Sequence, residues 1–403
     1  MGGPLQGIRV LEWGVWHQGP HAAAILGDLG ADVIKIEDKA GDPERGLRRE
    51  RGISLELPGG RNALFELSNR SKRGITLDLK QERGKEVLYR LVKTADVFIQ
   101  NYRPGAAQRL GLDYPTLSGL NPRLIYASAT GFGQKGPHRS LPALDLLAVG
   151  RSGLASLVSD PRTIPLRAMG GLPDQVGAIV LALGVLAALV ARERLGVGQE
   201  LDSSLLGSTL YLEAMILAIN LLTGKPYAVV PRERAANPLY NHYCCRDGTW
   251  LVLGMVQSDR HWSPLCQALG LAHLEKDPRF ATALAREKNS AELVAILDGV
   301  FASRSQEEWM ALFQERGLWA SPVNPSLLDL PQDPQVVANE YIFDFPHPTL
   351  GPVKFVGLPV KFSRTPGQIQ CPAPELGQHT EEVLLEAGYT WEEIQELKEA
   401  QVI

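Results

Sequence analysis

The sequence predicts an α/β protein with a parallel, doubly wound sheet and a smaller α+β domain. Short apolar strand patterns alternate with helix patterns over the first 130 residues, which is typical of βαβ units. A chain of 403 residues is too long for one compact core, so a second domain is expected. A further region of mixed strand and helix patterns begins after Gly224-Lys225-Pro226. Together these observations favour a Rossmann-like large domain and a small companion.

The first elements are short apolar strands separated by helices. The predicted strands are Arg9–Trp13, Asp32–Glu37, Gly74–Leu79, Val97–Gln100 and Leu124–Ala129, and the predicted helices are Pro20–Leu29 and Glu82–Thr94. Residues 42–62 carry Arg45, Arg48, Arg49, Arg51 and Arg61 among glycines and prolines. We interpret this stretch as a long loop that is either solvated or closes over an anionic ligand.

An apolar run from Val176 to Ala191 has the length of a buried core helix. Its 16 residues fall short of a membrane span, and Arg192-Glu193-Arg194 closes it. A helix that is apolar all round is expected inside a core. The N-terminus has neither a basic nor an apolar leader segment, so we expect a cytoplasmic protein without membrane association.

The chain is divided into four predicted parts. Residues 1–200 form the first part of the large domain, 201–226 a linker helix, 227–330 the small α+β domain, and 331–403 a return segment that completes the large domain. The later predicted elements are the helix Leu206–Leu222, the strand Trp250–Met255, the helices His261–Leu269, Ser290–Ala302 and Gln306–Arg316, strand-rich Val353–Phe362, and terminal helices from Thr380 and over Thr390–Gln401.

Composition and motifs exclude several classes of function. The net charge of -4 argues against nucleic acid as a partner. The four cysteines lack zinc or redox spacing, which favours reduced thiols. Gly131 to Gly136 matches GxGxxG, but prolines rather than a helix follow it, so a dinucleotide site is not expected. His17 and His21 lie four residues apart with no third ligand nearby, so no metal is expected.

Asp174 is the principal candidate for catalysis. It follows Gly170-Gly171-Leu172-Pro173 and precedes the apolar run, which places it in the first turn of that helix. There the free backbone N–H groups and the helix dipole favour an ionised carboxylate, which can attack an activated carbonyl. Taken alone, an acidic residue at this position is more often a helix cap.

Several segments in order along the chain resemble the class III CoA-transferases, the family that includes formyl-CoA transferase, carnitine CoA-transferase and α-methylacyl-CoA racemase. The resemblance runs nearly from end to end, and the order and spacing of the segments make it specific. These segments are Leu5–Leu11, Gly19-Pro20, Gly30–Glu37, Lys72–Lys80, Asn101–Gly105, Asn121–Ile125 and Glu375–Thr380.

The resemblance implies that Asp174 is a nucleophile forming an aspartyl anhydride and then an aspartyl-CoA thioester, with no ATP and no metal. It implies coenzyme A, carried as an acyl-CoA, and a carboxylic acid as substrates. The CoA contacts implied by position are His17, Gln18, Leu77, Asp78, Lys80, Asn101, Tyr102, Arg103 and Arg109. Asp145 matches an acidic neighbour of the nucleophile, or it caps the following helix.

The sequence departs from the family pattern at three positions. Asp38 stands where a basic residue is usual, and Pro142 stands where some members have lysine, so the arginines of residues 45–61 are candidates to hold CoA instead. Leu144 stands at the histidine position of the racemase branch, and leucine carries no proton. Two alternatives remain: an acyl-CoA racemase or isomerase, and a CoA-binding partner subunit of a heteromeric transferase.

The acceptor acid is predicted from the segment 232–243. The resemblance implies a comparison with formyl-CoA transferase, in which a glycine-rich flap covers the active site; the corresponding stretch here has no glycine run, which disfavours formate and oxalate. Arg232 and Arg234 are candidates to receive a carboxylate, and Tyr240 and Tyr243 an apolar body, as in an aromatic or dicarboxylic acid such as a benzylsuccinate-like compound, with succinyl-CoA as a candidate donor. The resemblance also implies an interlocked homodimer, or pairing with a homologous second subunit.

Overall fold

A computed structural model describes residues 2–158, 170–227 and 229–403. The chain divides into two compact units, Met1–Tyr227 with Tyr341–Ile403, and Ala228–Glu340. Each unit has its own hydrophobic core. The domain boundaries predicted after residues 200, 226 and 330 stay a prediction.

The larger unit contains a six-stranded sheet and helices on both of its faces. Its strands are β1 (Arg9–Trp13), β2 (Asp32–Glu37), β3 (Arg49–Glu50), β4 (Ile53–Ser54), β5 (Glu56–Leu57), β6 (Arg61–Asn62), β7 (Arg73–Thr76), β8 (Val97–Gln100), β9 (Ile125–Thr130), β10 (Gln199–Ser204), β14 (Ile342–His347) and β15 (Gly351–Val356). Its helices are α1 (Gln18–Asp28), α2 (Ala63–Asn69), α3 (Glu82–Val92), α4 (Ala106–Leu110), α5 (Tyr114–Leu120), α6 (Asp145–Ser152), α7 (Leu154–Val158), α8 (Leu172–Leu195), α9 (Leu205–Leu212), α10 (Ala214–Thr223), α16 (Thr380–Glu386) and α17 (Trp391–Glu399).

The sheet has the order β10-β9-β8-β1-β2-β7, and each of its pairings is parallel. Helices α1 and α8 pack on one face, while α3, α16 and α17 contribute to the core on the other. The predicted α/β class with a parallel sheet is therefore confirmed. The strand order reverses between β1 and β8, and ligands bind at the carboxyl ends of strands at such a switch point.

The smaller unit combines a three-stranded antiparallel sheet with helices. Its strands β11 (His242–Cys244), β12 (Trp250–Leu253) and β13 (Ala320–Val323) pair in that order. Its helices are α11 (Ser258–Ala268), α12 (Ala283–Lys288), α13 (Ser290–Phe301), α14 (Gln306–Arg316) and α15 (Pro334–Ala338). Leu251, Leu297 and Phe313 are fully buried in its core. The strands and helices predicted for this region therefore pack around a hydrophobic core of their own.

The long apolar helix differs from its prediction in length and burial. Helix α8 runs from Leu172 to Leu195 because Gly171 and Gly196, with φ of 87° and 77°, provide left-handed caps at its two ends. By length and composition it could cross a membrane. The expectation that this apolar segment is too short for a membrane span was therefore wrong. One face packs in the core of the larger unit, but Leu183 and other apolar side chains on the opposite face are exposed.

Two other expectations were also wrong in detail. The predicted helix Leu206–Leu222 is broken at Glu213 into α9 and α10, which are bent by 75°. Residues 42–62 are not a plain loop, because they form the small hairpins β3–β4 and β5–β6.

Candidate active site

The turn after β1 is held in place at the switch point of the sheet. The amide of Asn101, which follows β8, accepts from Val15 N at 2.9 Å and donates to Val15 O at 2.6 Å. Trp16 has a φ of 63°, and its N–H donates to Asp42 Oδ1 at 3.0 Å. His17 follows directly as the N-cap of α1. The turn therefore fixes where His17 and Gln18 enter the site.

A buried cluster of charges supports this turn from below. Lys72 Nζ lies 3.0 Å from Glu12 Oε2, and Lys35 Nζ lies 3.0 Å from Asp42 Oδ2 and donates to Gly14 O at 3.1 Å. Burial lowers the pKa of Lys72 to about 8 against the opposing effect of the Glu12 carboxylate. Both lysines are consumed by internal pairs, so they serve as a scaffold and not as ligands for a phosphate.

Asp174 lies in the first turn of α8, two residues after the helix begins. Burial, and after it the charge of Asp145, raise the pKa of Asp174 to about 7. The sequence argument expected the helix dipole to hold this carboxylate ionised. Desolvation outweighs the dipole, because removing water penalises the charged form more than one helix end compensates. The ionised form of Asp174 is thus less well solvated than a carboxylate in open water.

Asp145 connects the start of α6 to the start of α8. Its Oδ1 accepts from Leu146 N at 2.7 Å, and its Oδ2 accepts from the N–H of Gly171. A guanidinium N–H of Arg51, at the tip of the β3–β4 hairpin, donates to Gly170 O. Asp145, the first residue of α6, thus holds the turn before Asp174 and places a second carboxylate near it.

The ring of His17 is held between Ser68 and Gln175, the residue that follows Asp174. Its Nε2 lies 3.1 Å from Gln175 Oε1, its Nδ1 lies 2.9 Å from Ser68 Oγ, and its ring stacks on His21 at 4.8 Å. Burial lowers the pKa of His17 below its usual value. A neutral imidazole therefore contacts the side chain of Gln175, the residue after Asp174, and can donate or accept a hydrogen bond there without adding charge.

Helices α1 and α8 approach closely at this point. Gln18 is buried, and a Cβ added to Gly177 would lie 2.8 Å from Gln18 Nε2. Only glycine leaves room for the Gln18 amide against the first turns of α8. This close approach brings the beginning of α1 alongside that of α8, and with it His17 beside Gln175.

A separate cleft beside the turn gathers six residues singled out in the sequence analysis. Its volume is about 270 Å³, and its lining includes Asp38, Leu77, Asp78, Lys80, Tyr102 and Arg109. The Tyr102 ring lies 4.1 Å from that of Trp13, at the inner wall. Lys80 and Arg109 are exposed there, so two cations are available to an anionic ligand.

Arg103 lies apart from that cleft. It lines a neighbouring cavity of about 260 Å³ with Gln100, Ser128 and Glu200. Two of the arginines expected to hold CoA in place of a basic residue at position 38 already form ion pairs with carboxylates. Arg45 pairs with Glu37 at 2.7 Å, and Arg61 pairs with Glu66 at 2.5 Å and with Glu375 at 2.8 Å. These two side chains fasten the loop to the body of the larger unit.

The candidate acceptor residues belong to the smaller unit. Arg232 donates to His242 O at 3.1 Å and pairs with Asp298 at 2.5 Å. Tyr243 is fully buried and its hydroxyl donates to Pro238 O at 2.7 Å, so the interpretation of Tyr243 as a substrate surface was wrong. Arg234 and Tyr240 are exposed, and their role toward an acceptor stays a prediction.

Sequence reasoning missed the residues that support the site. Glu12 and Lys35 interrupt apolar strand patterns, and that interruption is the signal that could have found them. Ser68 and Gln175 carry no comparable signal. Among the described residues, no group of three His, Cys, Asp or Glu side chains is arranged to hold a metal ion.

The larger unit combines a doubly wound sheet, a carboxylate of raised pKa, a histidine of lowered pKa and a cleft with two exposed cations. This arrangement is typical of α/β enzymes that act on anionic ligands. The sequence profile of CoA-transferase family III matches residues 5–380. The chain belongs to this family and is a CoA-transferase, whose substrates are CoA thioesters and carboxylic acids.

Relatives of known activity and solved structure agree with this assignment. The chain is 31% identical over 403 residues to (R)-2-hydroxy-4-methylpentanoate CoA-transferase of Clostridioides difficile, covering 99% of each chain. It is 33% identical over 409 residues to succinyl-CoA–D-citramalate CoA-transferase of Chloroflexus aurantiacus, covering 99% of this chain and 98% of the relative. A CAIB/BAIF family protein from Brucella suis superposes with a TM-score of 0.81 at 30% identity, covering 96% of this chain and all of the other.

Proposed function

We propose that this CoA-transferase moves CoA from an acyl-CoA to a carboxylic acid through a covalent intermediate on Asp174. The observation that carries the proposal is the carboxylate of raised pKa in the first turn of α8, next in sequence to Gln175, whose side chain contacts His17. A carboxylate stripped of water is a better nucleophile toward a thioester than a solvated one. No other carboxylate singled out in the sequence analysis lies in such a position within the described part of the chain.

The proposed reaction balances without ATP. The Asp174 carboxylate attacks the thioester carbonyl of the donor, and the C–S bond breaks to give a mixed anhydride and CoA thiolate. The thiolate attacks the aspartyl carbonyl and releases the donor acid, leaving an aspartyl-CoA thioester. The acceptor carboxylate attacks that thioester to form a second anhydride. The thiolate then attacks the acceptor carbonyl, which yields the new acyl-CoA and restores the carboxylate.

The CoA moiety is proposed to span two places on the same sheet edge. Lys80 and Arg109 in the cleft are suited to phosphate groups, because exposed cations can pair with phosphate without a large desolvation penalty. His17 and Gln18 are proposed to contact the thioester end, next to Asp174. Asn101 is proposed to act indirectly, by holding the turn that carries His17 and Gln18. Tyr102 and Leu77 are proposed to form an apolar wall of the cleft. Arg103, in the adjacent cavity, is proposed to contact the same ligand from the side.

The substrates are proposed from the relatives and from the missing flap. A donor of the succinyl-CoA type is supported by the named activity of the Chloroflexus relative. An aromatic or dicarboxylic acceptor, such as a benzylsuccinate-like acid, rests on the glycine-poor segment 232–243 and on the exposed Arg234 and Tyr240. An acyl-CoA racemase is disfavoured because Leu144, which is 62% exposed at the start of α6, offers no proton.

We also propose a dimer and a cytoplasmic location. Helix α10 carries the apolar side chains of Met215, Ile219 and Leu222, and all three are exposed in the single chain. An apolar surface of this kind is typical of a protein interface, which supports the interlocked homodimer or a homologous second subunit. The four cysteines are free thiols, which is typical of a reducing compartment.

The test is to trap the intermediate on the protein. Purified protein is mixed with succinyl-CoA and a panel of acids, quenched during turnover, and digested for mass spectrometry. CoA or acyl mass is expected on the peptide that holds Asp174, and hydroxylamine is expected to convert the same residue to a hydroxamate. Asp174→Asn should carry neither. Asp202→Asn is the matched control, because burial also raises the pKa of that carboxyl in the same unit.

Three outcomes separate the alternatives. Label on Asp174 together with CoA transfer supports the proposal. Exchange of the α-proton into deuterated water without any acceptor acid would identify an isomerase instead. Binding of CoA without label or turnover would identify a partner subunit.

A further inference from the structure

The tip of the β3–β4 hairpin reaches the turn that precedes helix α8. In this hairpin Glu50 pairs with Ile53, so Arg51 and Gly52 are the two residues that connect the strands. A guanidinium N–H of Arg51 donates to Gly170 O. Arg51 thus joins the hairpin to the segment that leads into α8 and its first turn.

Arg51 has a backbone conformation that its residue type does not favour. Its φ is 50° and that of Gly52 is 83°, as in the type I′ turns that close two-residue hairpins. Asparagine, aspartate and glycine are preferred at the first of these positions, because most other side chains are strained at positive φ. The turn itself therefore does not favour an arginine, and the contact made by the side chain is a reason to have one there.

Most of the hydrogen-bonding capacity of Arg51 is unused among the described residues. A guanidinium has five N–H donors, and one of them donates to Gly170 O. Glu50 is a loose partner, because its Oε1 lies 3.7 Å from Arg51 Nε and both side chains are about half exposed. The remaining N–H groups can bind a carboxylate, which one guanidinium can hold through two parallel hydrogen bonds.

The other arginines of residues 42–62 are placed differently. Arg45, Arg48 and Arg61 pair with carboxylates of the same unit. Arg49 is exposed at the start of β3. Within the described part of the chain, Arg51 is thus the arginine of this segment that contacts the turn before α8.

Two charged side chains hold the turn that leads to the nucleophile. Arg51 donates to Gly170 O, and Asp145 Oδ2 accepts from Gly171 N. No ion pair joins Arg51 to Asp174 among the residues that the structure describes. A direct pair would also lower the pKa of Asp174, whereas that pKa is raised. The Arg51 cation is thus kept near the nucleophile without neutralising it.

Exposed apolar side chains adjoin the same turn. Leu172 follows the turn as the first residue of α8, and Leu144 directly precedes Asp145. Both leucine side chains are exposed in the single chain. They suit the carbon chain of an acid that reacts at Asp174 and ends beside a cation.

We propose that Arg51 is a specificity-determining residue, which binds the second carboxylate of a dicarboxylic acid while the first one reacts at Asp174. This inference rests on the proposed function of Asp174. The reacting carboxylate loses its charge in the anhydride and the thioester, so a cation bound to it would stabilise the free acid and oppose the reaction. The second carboxylate keeps its charge throughout the cycle, so Arg51 can hold the acid in every state.

The test compares acids of equal length that differ in the second carboxylate. Transfer of CoA is measured to glutarate and to pentanoate, with the same donor at saturation. In the wild type, kcat/KM for glutarate is expected to exceed that for pentanoate about tenfold. Arg51→Met should lower kcat/KM for glutarate about tenfold, mainly through KM, and leave that for pentanoate within about twofold. Arg51→Lys should fall between them, because an ammonium keeps the charge but loses the planar fork.

Arg49→Met is the matched control, since it removes an exposed arginine from the same hairpin. It should leave both acids within about twofold of the wild type. Equal losses for glutarate and pentanoate in Arg51→Met would indicate a structural role and overturn the proposal. A wild type without preference for glutarate, or an equal effect of Arg49→Met, would do the same.

A second measurement does not depend on turnover. Calorimetry measures the binding of glutarate and of pentanoate to the protein in the presence of free CoA, which does not react with either acid. Arg51→Met should weaken the binding of glutarate about tenfold and that of pentanoate by less than about twofold. An unchanged affinity for glutarate, or no binding of glutarate to the wild type, would overturn the proposal. If Asp174→Asn still transferred CoA, the covalent route would fail, and this comparison would still decide the role of Arg51.

Discussion

The cleft and the Asp174 centre lie on the same sheet edge, yet they treat charge in opposite ways. In the cleft, Lys80 and Arg109 point their charges into open solvent. At the centre, burial raises the pKa of Asp174 and lowers that of His17. Exposed charges can grip a ligand at small cost, while desolvated groups acquire unusual reactivity. Under the proposed function, this difference would separate the binding of CoA in the cleft from the chemistry at Asp174.

The physical origin of the difference is the packing of α1 against α8. Gly177 admits the Gln18 amide, and the packing of the two helices partly covers the first turn of α8. The cleft has no such cover, because Asp38 and Lys80 lie on loops that follow β2 and β7. Changes at the centre should therefore act on kcat and stability, and changes in the cleft on KM.

The largest expected effect is the loss of the nucleophile. Asp174→Asn keeps the shape of the side chain but removes the oxygen that forms the anhydride, so kcat should fall about ten-thousand-fold. Steady-state transfer from succinyl-CoA to an acid measures this. Asp202→Asn, a carboxyl of the same unit on β10, should stay within about twofold. A residual rate above about a tenth of the wild type would assign the chemistry elsewhere.

The same substitution is expected to stabilise the protein at alkaline pH. A folded-state pKa near 7 against 3.8 for the free side chain means that the folded protein holds this proton more tightly than the unfolded chain does. Stability contributed by this site is therefore lost as the pH rises toward 7. Asp174→Asn removes that loss, so at pH 8 the free energy of unfolding should rise by about 2 kcal/mol.

Urea unfolding at pH 5 and pH 8 measures this change, which should be small at the lower pH. Asp38→Asn, on the open cleft, is the control and should shift the free energy of unfolding by less than about 0.5 kcal/mol at both pH values. If the Asp174 variant were less stable than the wild type at pH 8, burial would not be the cause of the raised pKa.

A smaller effect is expected in the cleft. Lys80→Ala and Arg109→Ala should each raise KM for the acyl-CoA about tenfold, with kcat within about twofold, because each removes one phosphate contact. Added salt should reduce the difference in KM between each variant and the wild type, because salt screens the phosphate contact that the wild type still makes. Arg83→Ala, an exposed cation paired with Glu396 outside the cleft, should leave KM unchanged. A fall in kcat alone would mean that the cleft serves the chemistry and not the binding of CoA.

The smallest expected effect is a shift in the acidic limb of the pH profile. The Asp145 charge raises the pKa of Asp174, so Asp145→Asn should lower that pKa. The pH at which kcat/KM is half-maximal should move from near 7 toward acid by up to about one unit. Asp202→Asn should leave this midpoint in place. A shift toward alkaline pH would have the wrong sign for a charge effect.

Much of the larger unit could be predicted from local patterns, and the errors have identifiable causes. The strands of the parallel sheet are short apolar runs, so β1, β2 and β8 were predicted at their observed residues. Helix α8 was predicted too short because Arg192-Glu193-Arg194 was interpreted as its end, whereas its C-cap is Gly196. Strand β14 was missed because Pro346 lies within it, and proline is tolerated there in a two-stranded hairpin.

The support of the site could not be predicted because its contacts join distant parts of the chain. The buried pair of Lys72 with Glu12 spans 60 residues, and the contact of His17 with Gln175 spans 158. Neither pairing follows from the period of a helix or a strand. For the same reason Arg45 was predicted to be a candidate for binding CoA, because no local sequence pattern identifies Glu37 as its partner.

By itself the sequence determined the α/β class and the family and singled out Asp174 as a candidate, because these depend on periodicity, on motif order and on a residue at a helix start. Only the tertiary structure decided which groups carry protons. The pKa values of Asp174, Glu44 and Lys72 depend on how much water is excluded and on which charges lie within a few ångströms. Those neighbours are brought together by the packing of helices on the sheet, and linear order does not contain them.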